Sequence, residues 1–128
     1  MPPLPSSSSR TRSRALFPSS SRDAVVLALR AAGCVFAEDE AELILEAART
    51  PDELTAMVER RAAGRPLEVV VGWADFHGRR VIVEPGVFVP RRRTEFLVDR
   101  ALAHAPHARV VVDLCCGTGA VGAALAAR

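Results

Sequence analysis

The segment from Arg109 to the last residue constrains the fold of this chain more than any other part of the sequence. Residues 109–114 form a nearly continuous apolar run, glycines follow at positions 117 and 119, and an Ala-rich stretch completes the chain. A buried strand of a parallel sheet has this composition, and the order strand, glycine-rich turn and helix opens a doubly wound α/β domain. We therefore predict the first strand of such a sheet at 109–114 and a helix from Gly119 to Arg128.

The glycine-rich turn has the features of a ligand-binding loop. Gly117 and Gly119 permit positive φ and a close approach of the backbone to a ligand, and Asp113 stands at the carboxyl end of the predicted strand, where ligands of open α/β sheets bind. The stretch from Gly117 to Gly122 also matches the dinucleotide pattern G-x-G-x-x-G. The acidic residue four positions before Gly117 instead favours an S-adenosylmethionine loop of the form Asp/Glu-x-x-x-Gly-x-Gly. A turn without any ligand is the least favoured interpretation.

Three short amphipathic helices are predicted upstream, and none of them can bury an apolar face alone. We therefore expect a small helical domain with its own core. The third helix has the clearest start, because Thr50 is a typical N-cap, Pro51 suits the first helical position and Glu53 completes a capping box. The predicted helices run from Arg22 to a stop at Gly33, from Glu38 to Ala48, and from Pro51 to the vicinity of Gly64.

A β-hairpin and one further helix are predicted between this domain and the glycine-rich loop. Residues 73–76 and 80–84 have strand character, and His77-Gly78 between them reads as the turn; His77 is expected to be solvated. Thr94 is predicted to be the N-cap of a helix from Glu95 to His104. Its buried side is predicted to carry four apolar residues: Phe96, Leu97, Ala101 and Leu102.

The composition narrows the classes of function. The net charge of +2 is too small to indicate nucleic-acid binding by itself, and the Arg91–Arg93 run is interpreted as a solvated loop. Cys34, Cys115 and Cys116 have neither disulfide-framework nor zinc spacing, so we expect a reducing, cytoplasmic setting and no metal. Pro, Ser and Arg dominate residues 1–21, which are predicted to be disordered. No apolar run has membrane-spanning length.

Several separated motifs resemble one enzyme family and occur in its order. They are Gly64-Arg-Pro-Leu-Glu68, Gly72-Trp-Ala-Asp-Phe76, Pro85-Gly-Val-Phe-Val-Pro-Arg91, Thr94-Glu95 and the loop Asp113 to Gly119. The chain resembles, from about Asp23 onward, the N-terminal portion of HemK/PrmC-type protein N5-glutamine methyltransferases. These enzymes use S-adenosylmethionine to methylate the glutamine amide of the Gly-Gly-Gln motif in class 1 peptide chain release factors.

The resemblance implies an α/β fold in a definite order. It predicts a helical substrate-recognition domain at 22–64, a connector with a β-hairpin at 65–86, and the incomplete start of a Rossmann-like methyltransferase domain at 87–128. We expect a monomer that binds a release factor. We expect it to bind no membrane and to make no direct contact with nucleic acid. The cofactor-binding residues it implies are Thr94, Glu95, Asp113, Cys115, Cys116, Gly117, Thr118 and Gly119.

Two departures from the family pattern indicate a divergent subgroup. Arg92 stands where the family commonly has Pro, and Cys115 where it commonly has Gly. The family's Asn-Pro-Pro-Tyr motif, which orients the substrate amide, is absent, so no catalytic residue is assigned and the chain is expected to be inactive by itself. Alternatives are a methyltransferase with another acceptor (a protein amide, a nucleic-acid base or a small molecule), a nicotinamide-dependent oxidoreductase, or a non-catalytic binding module.

Overall fold

The computed structural model describes residues 19–127. Most of the tail predicted to be disordered lies outside this range, but Ser19, Ser20 and Ser21 lie inside it and form the start of a helix rather than the end of the tail. The helices are α1 (Ser19–Ala31), α2 (Ala37–Ala47), α3 (Pro51–Ala62), α4 (Leu67–Val71), α5 (Glu95–His104) and α6 (Ala120–Ala126), and the strands are β1 (Trp73–Phe76) and β2 (Arg79–Ile82).

The chain forms two compact units, one ending at Val71 and the other beginning at Gly72. The three predicted helices are all present in the first unit, and the predicted connector contributes the short helix α4 to it. The first unit is therefore entirely helical in its described part. The β-hairpin, α5 and α6 belong to the second unit.

The helical unit has one apolar core, to which all four helices contribute. Leu29, Ala41 and Ile44 are fully buried there. The predicted stop of α1 is confirmed, since Gly33 has φ +88° and the N–H of Cys34 donates to the carbonyl of Leu29 across 3.0 Å. A glycine in the left-handed region with this reverse bond is a common way to end a helix. The core consists of Val25, Leu29, Ala37, Ala41, Ile44, Ala48, Leu54, Met57 and Val70.

The predicted start of α3 is also confirmed. Thr50 has extended backbone, and its hydroxyl accepts a hydrogen bond from the N–H of Glu53 at 3.2 Å. The carboxylate of Glu53 reaches back to accept from the N–H of Arg49 at 2.8 Å, one residue before the position expected for a capping box. The first bond satisfies a donor that the helix itself leaves unpaired, and the second pairs the N–H of the residue before the N-cap.

One ion pair joins α2 and α3 inside the helical unit. Nε of Arg61 donates to Oε2 of Glu40 at 2.6 Å, and Nη2 donates to Oε1 at 3.0 Å. The two side chains are only 21% and 12% exposed. Two parallel bonds in a half-buried setting fix the geometry more firmly than an exposed surface pair does.

The predicted hairpin is confirmed, with its second strand starting at Arg79 instead of Arg80. The strands are antiparallel, and Trp73 pairs with Ile82 at one end while Phe76 pairs with Arg79 at the other. His77 and Gly78 in the turn have φ +49° and +71°. Positive φ at both central residues matches the right-handed twist of the strands.

The second unit has a smaller core, and the predicted buried side of α5 is confirmed at Leu102 but wrong at Phe96 and Leu97. Val98 is fully buried and Leu102, four residues on, packs against the same cluster. Phe96 and Leu97, predicted to be buried, are 68% and 55% exposed. Residues spaced by four share a helix face, so burial of Val98 and Leu102 turns the other two outward. The buried members are Phe76, Val98, Ala120 and Ala124.

The predicted strand at 109–114 is not formed. These residues are in neither helix nor strand, and the side chains of Val110, Val112 and Leu114 are more than 70% exposed. A parallel strand is stabilised by hydrogen bonds to neighbouring strands, and the only sheet within residues 19–127 is the two-stranded hairpin. The architecture is thus helical with a small antiparallel sheet, and the sequence prediction of a buried strand was wrong for this structure.

Candidate functional site

The loop between Asp113 and α6 is closed by two hydrogen bonds. Oδ2 of Asp113 accepts from the N–H of Gly122 in the first turn of α6, at 3.3 Å. The N–H of Gly119 donates to the carbonyl of Cys116 at 2.8 Å. The half-buried carboxylate therefore holds the beginning of the loop against the helix that follows it.

The backbone of the loop turns through the left-handed region three times. Cys115, Gly117 and Gly119 have φ +58°, +55° and +75°, and Gly119 is the N-cap of α6. The two glycines confirm the expectation that the turn requires positive φ. Cys115 adopts the same region with a side chain, which costs about 1–2 kcal/mol relative to glycine.

The segment before α5 passes directly beside this loop. A Cβ atom placed on Gly117 would lie 3.7 Å from the carbonyl oxygen of Phe88. Two of the motifs noted in the sequence, 85–91 and 113–119, are therefore adjacent in space. Nothing in the local sequence pattern of either motif indicates this proximity.

Thr94 occupies the N-cap position of α5, as the sequence predicted, but its side chain does not cap the helix. It has φ −74° and ψ −14°, which is helical, and its side chain makes no capping hydrogen bond. The reason is a 3₁₀ turn from Arg92 to Thr94 that runs directly into α5. Thr94 and Glu95 are both half-buried, and within residues 19–127 neither side chain forms a hydrogen bond to the loop.

The surface of the loop suits a ligand with polar groups. Cys115, Cys116 and Gly117 are exposed, whereas Thr118 and Gly119 are half-buried. Oδ2 of Asp113 is engaged by Gly122, and its other oxygen accepts no hydrogen bond from the residues that the structure describes. That oxygen is available to an ammonium or hydroxyl group, while the small residues leave the backbone accessible.

Sequence reasoning missed two residues that organise this unit. Gly122 was noted only as part of a dinucleotide pattern, yet it is the partner of Asp113. His77 was predicted to be solvated, but its Nε2 lies 2.8 Å from Oδ1 of Asp99 on α5 and its side chain is only 14% exposed. The Asp113–Gly122 spacing is a local signal that could have indicated the first contact; the second depends on how the hairpin packs.

The Arg run before α5 is exposed, as predicted, and one member has an aromatic neighbour. The guanidinium carbon of Arg91 lies 5.5 Å from the ring centroid of Phe88, which is within the range of a cation–π contact. Arg92 and Arg93 are exposed.

Neither a metal cluster nor a membrane-spanning helix is present among residues 19–127. Within residues 19–127, no three His, Cys, Asp or Glu side chains are grouped so that they could hold a metal ion. None of the described helices combines the length and the apolar character that crossing a membrane requires.

Comparison with curated proteins returned relatives named release factor glutamine methyltransferase. The protein of Mycolicibacterium smegmatis is 41% identical over 108 residues, which is 81% of this chain and 37% of the relative. The protein of Xylella fastidiosa is 38% identical over 108 residues, covering 81% of this chain and 39% of the relative. The protein of Geobacter sulfurreducens is 43% identical over 79 residues, covering 59% of this chain and 28% of the relative. No family model matches the chain.

These matches confirm the resemblance that the motifs predicted. The similarity extends over most of this chain in two of the three relatives. The chain nevertheless spans well under half the length of the curated relatives it matches.

Proposed function

We propose that this chain, whose sequence is similar to those of relatives named release factor glutamine methyltransferase, binds S-adenosylmethionine. The reaction that this binding serves is methylation of the glutamine amide in the Gly-Gly-Gln motif of a peptide chain release factor. In this proposal residues 87–128 begin a Rossmann-like methyltransferase domain, and the helical domain at 22–64 helps to engage the protein substrate.

The loop closed by Asp113 is the observation that carries the proposal. Its carboxylate is fixed by Gly122, its turn has left-handed backbone at Cys115, Gly117 and Gly119, and the carbonyl of Phe88 lies beside it. A loop held in one conformation before the ligand arrives loses little entropy on binding. This favours a specific cofactor site over a flexible surface turn.

Each residue of the proposed site has a physical role. The free oxygen of Asp113 would accept a hydrogen bond from the donor's ammonium or hydroxyl groups, and Gly117 and Gly119 would allow the ligand to approach the backbone. Thr118 would offer a hydroxyl at the same turn, and Cys115 and Cys116 would line its exposed side. Thr94 and Glu95 are included from the resemblance.

S-adenosylmethionine supplies a methyl group that its sulfonium has already activated for transfer. The contribution of the protein is therefore to bind the donor, orient it toward the acceptor and exclude water. The residues of this chain act on the donor side of that arrangement. The proposal assigns them no proton-transfer role.

Calorimetric titration with S-adenosylhomocysteine tests donor binding. We expect the wild-type chain to bind and Asp113→Ala to bind at least about tenfold more weakly, a change of roughly 1.4 kcal/mol. Asp39→Ala is the matched control, because it removes an exposed carboxylate from α2 and should leave the affinity unchanged. Binding of NAD without binding of S-adenosylhomocysteine would refute the donor assignment and favour an oxidoreductase.

The identity of the methyl acceptor is tested with a methyl-transfer assay of the natural protein that contains this sequence. Transfer of radiolabelled methyl from S-adenosylmethionine to a purified release factor should be observed, and it should disappear when the glutamine of Gly-Gly-Gln is replaced by Ala. Labelling that persists in this variant, or labelling of RNA or a small molecule instead, would contradict the proposed acceptor while leaving donor binding intact.

A further inference from the structure

Cys115 and Cys116 are adjacent, exposed thiols in a loop whose backbone is fixed. Their Cα atoms are about 3.8 Å apart, as for any consecutive residues with a trans peptide, and the structure contains no cis peptide bond among residues 19–127. Both residues are free thiols on the surface, whereas Cys34 is half-buried. Two exposed thiols thus lie on consecutive residues of the loop.

The loop restricts the positions that these two residues can adopt. Cys115 has φ +58°, and the carbonyl of Cys116 accepts from the N–H of Gly119 at 2.8 Å. The thiol of Cys116 lies 3.8 Å from the carbonyl oxygen of Gly117, against the loop itself. The pair is therefore held on a closed turn instead of on a free chain end.

Because Cys115 and Cys116 offer two sulfur atoms, they suit a metal or metalloid centre that needs two protein ligands. Four-coordinate zinc requires four donors, and the described residues offer no group of three His, Cys, Asp or Glu that could hold a metal ion. A pair of soft thiolates suits a centre that takes only two sulfurs from the protein. A trivalent arsenical with one carbon substituent meets this condition, because carbon fills its third valence.

We infer that Cys115 and Cys116 form a dithiol modification site for monosubstituted trivalent arsenicals. An arsenic oxide R–As=O reacts with the two thiols to form two As–S bonds. The two thiol protons leave with the oxygen as one water molecule, and neither arsenic nor sulfur changes oxidation state. A ring through both sulfurs is harder to open with monothiols than a single As–S bond, because both bonds must be exchanged.

Phenylarsine oxide and intact-protein mass spectrometry test this site on the full 128-residue chain. The wild type should retain one phenylarsenic group in excess 2-mercaptoethanol and lose it to 2,3-dimercaptopropanol. Cys116→Ser should lose the retained group, and so should Cys115→Gly, which suits the positive φ at that position. Cys34→Ser is the matched control and should behave as the wild type does. Loss of the group from the wild type in 2-mercaptoethanol, or its retention in Cys116→Ser, would overturn the inference.

A second measurement links the dithiol site to the proposed donor site and rests on the proposed function. The wild type that carries the retained phenylarsenic group should not bind S-adenosylhomocysteine, and removal of the group with 2,3-dimercaptopropanol should restore binding. If the unmodified chain retains the arsenical but never binds S-adenosylhomocysteine, the proposed function fails and the dithiol site stands. If the unmodified chain binds S-adenosylhomocysteine but does not retain the arsenical, the dithiol site is refuted and the proposed function stands.

Discussion

The carboxylate of Asp113 and the backbone N–H of Gly122 are joined across nine positions of sequence by a 3.3 Å hydrogen bond. Gly122 lies in the first turn of α6, where the helix has no partner of its own for its N–H groups. The same carboxylate thus caps a helix and fixes the start of the proposed cofactor loop. Its structural role and its proposed binding role are therefore coupled.

Replacement of Asp113 should lower stability as well as donor affinity. Asp113→Ala removes the acceptor for Gly122 and should reduce the free energy of unfolding by about 1 kcal/mol, as for other N-terminal caps. Asp113→Asn keeps an oxygen acceptor but loses the charge, so a smaller loss is expected. Urea denaturation followed by circular dichroism measures both variants. Equal stability of wild type and Asp113→Ala would show that the bond contributes nothing in solution.

Gly119 at the N-cap of α6 and Gly122 inside α6 should respond oppositely to the same substitution. Gly119 has φ +75° with open space around its Cβ position, so Gly119→Ala should destabilise the chain by about 1 kcal/mol through backbone strain alone. Gly122 is inside α6, and a Cβ atom there would lie 3.7 Å from Oδ2 of Asp113, an ordinary contact. Gly122→Ala should stabilise by about 0.5–1 kcal/mol from helix propensity.

Denaturant midpoints of the two alanine variants, measured side by side, check this difference in sign. Each variant is the control for the other, since both add one methyl group to the same segment. If both alanine variants were destabilised, the Cβ position of Gly122 would have to lie closer to Asp113 than 3.7 Å.

Features that depend on a few neighbouring residues could be read from the sequence. The Thr50 cap, the Gly33 stop and the His77-Gly78 turn were all predicted, because each follows from the backbone preferences of the residues at that position. The positive φ at Gly117 and Gly119 belongs to the same class.

Features that depend on a distant partner could not be read in this way. The apolar run at 109–114 has the composition of a buried strand, but strand formation requires a neighbouring strand. Phe96 is exposed because α5 packs against the core with the face that carries Val98. The spacing of apolar residues in α5 does not by itself determine which face packs against the core. The contact of His77 with Asp99 likewise requires the packed arrangement of hairpin and helix.

Replacement of Cys115 by glycine should relieve backbone strain. Cys115 has φ +58°, where a side chain costs about 1–2 kcal/mol, and its side chain is exposed, so little packing is lost. Cys115→Gly should raise the free energy of unfolding by up to about 1 kcal/mol, the remainder being offset by the greater freedom of glycine in the unfolded chain. Thermal unfolding measures this change. Cys116→Ala is the comparison, and a greater gain from it would contradict the strain argument.

The ion pair between Glu40 and Arg61 should contribute more than an exposed pair in the same unit. A double-mutant cycle with Glu40→Gln and Arg61→Met should give a coupling of about 1–2 kcal/mol, because the pair is bidentate and shielded from solvent. The pair of Arg22 and Glu42, which has one contact at 3.0 Å and exposed side chains, should give below about 0.5 kcal/mol. Couplings of equal size would refute a role for burial.

The thiol of Cys34 should make the helical unit less stable in alkali. Partial burial raises the pKa of this thiol above its ordinary value near 9.0, and the carboxylate of Glu40 raises it further. An acid with a raised folded pKa is kept neutral by folding, so its contribution to stability is full below the unfolded pKa and is lost as the pH rises through the folded value.

Urea unfolding of the wild type over a pH series from about 7 to about 10 should therefore show a decline that begins near the unfolded thiol pKa. Cys34→Ala lacks the titrating group and should show a smaller decline over the same range. Alkylation with iodoacetamide gives an independent readout, since Cys34 should react more slowly than Cys115 and Cys116, which are exposed. Identical pH profiles for wild type and Cys34→Ala would show that this thiol does not couple to folding.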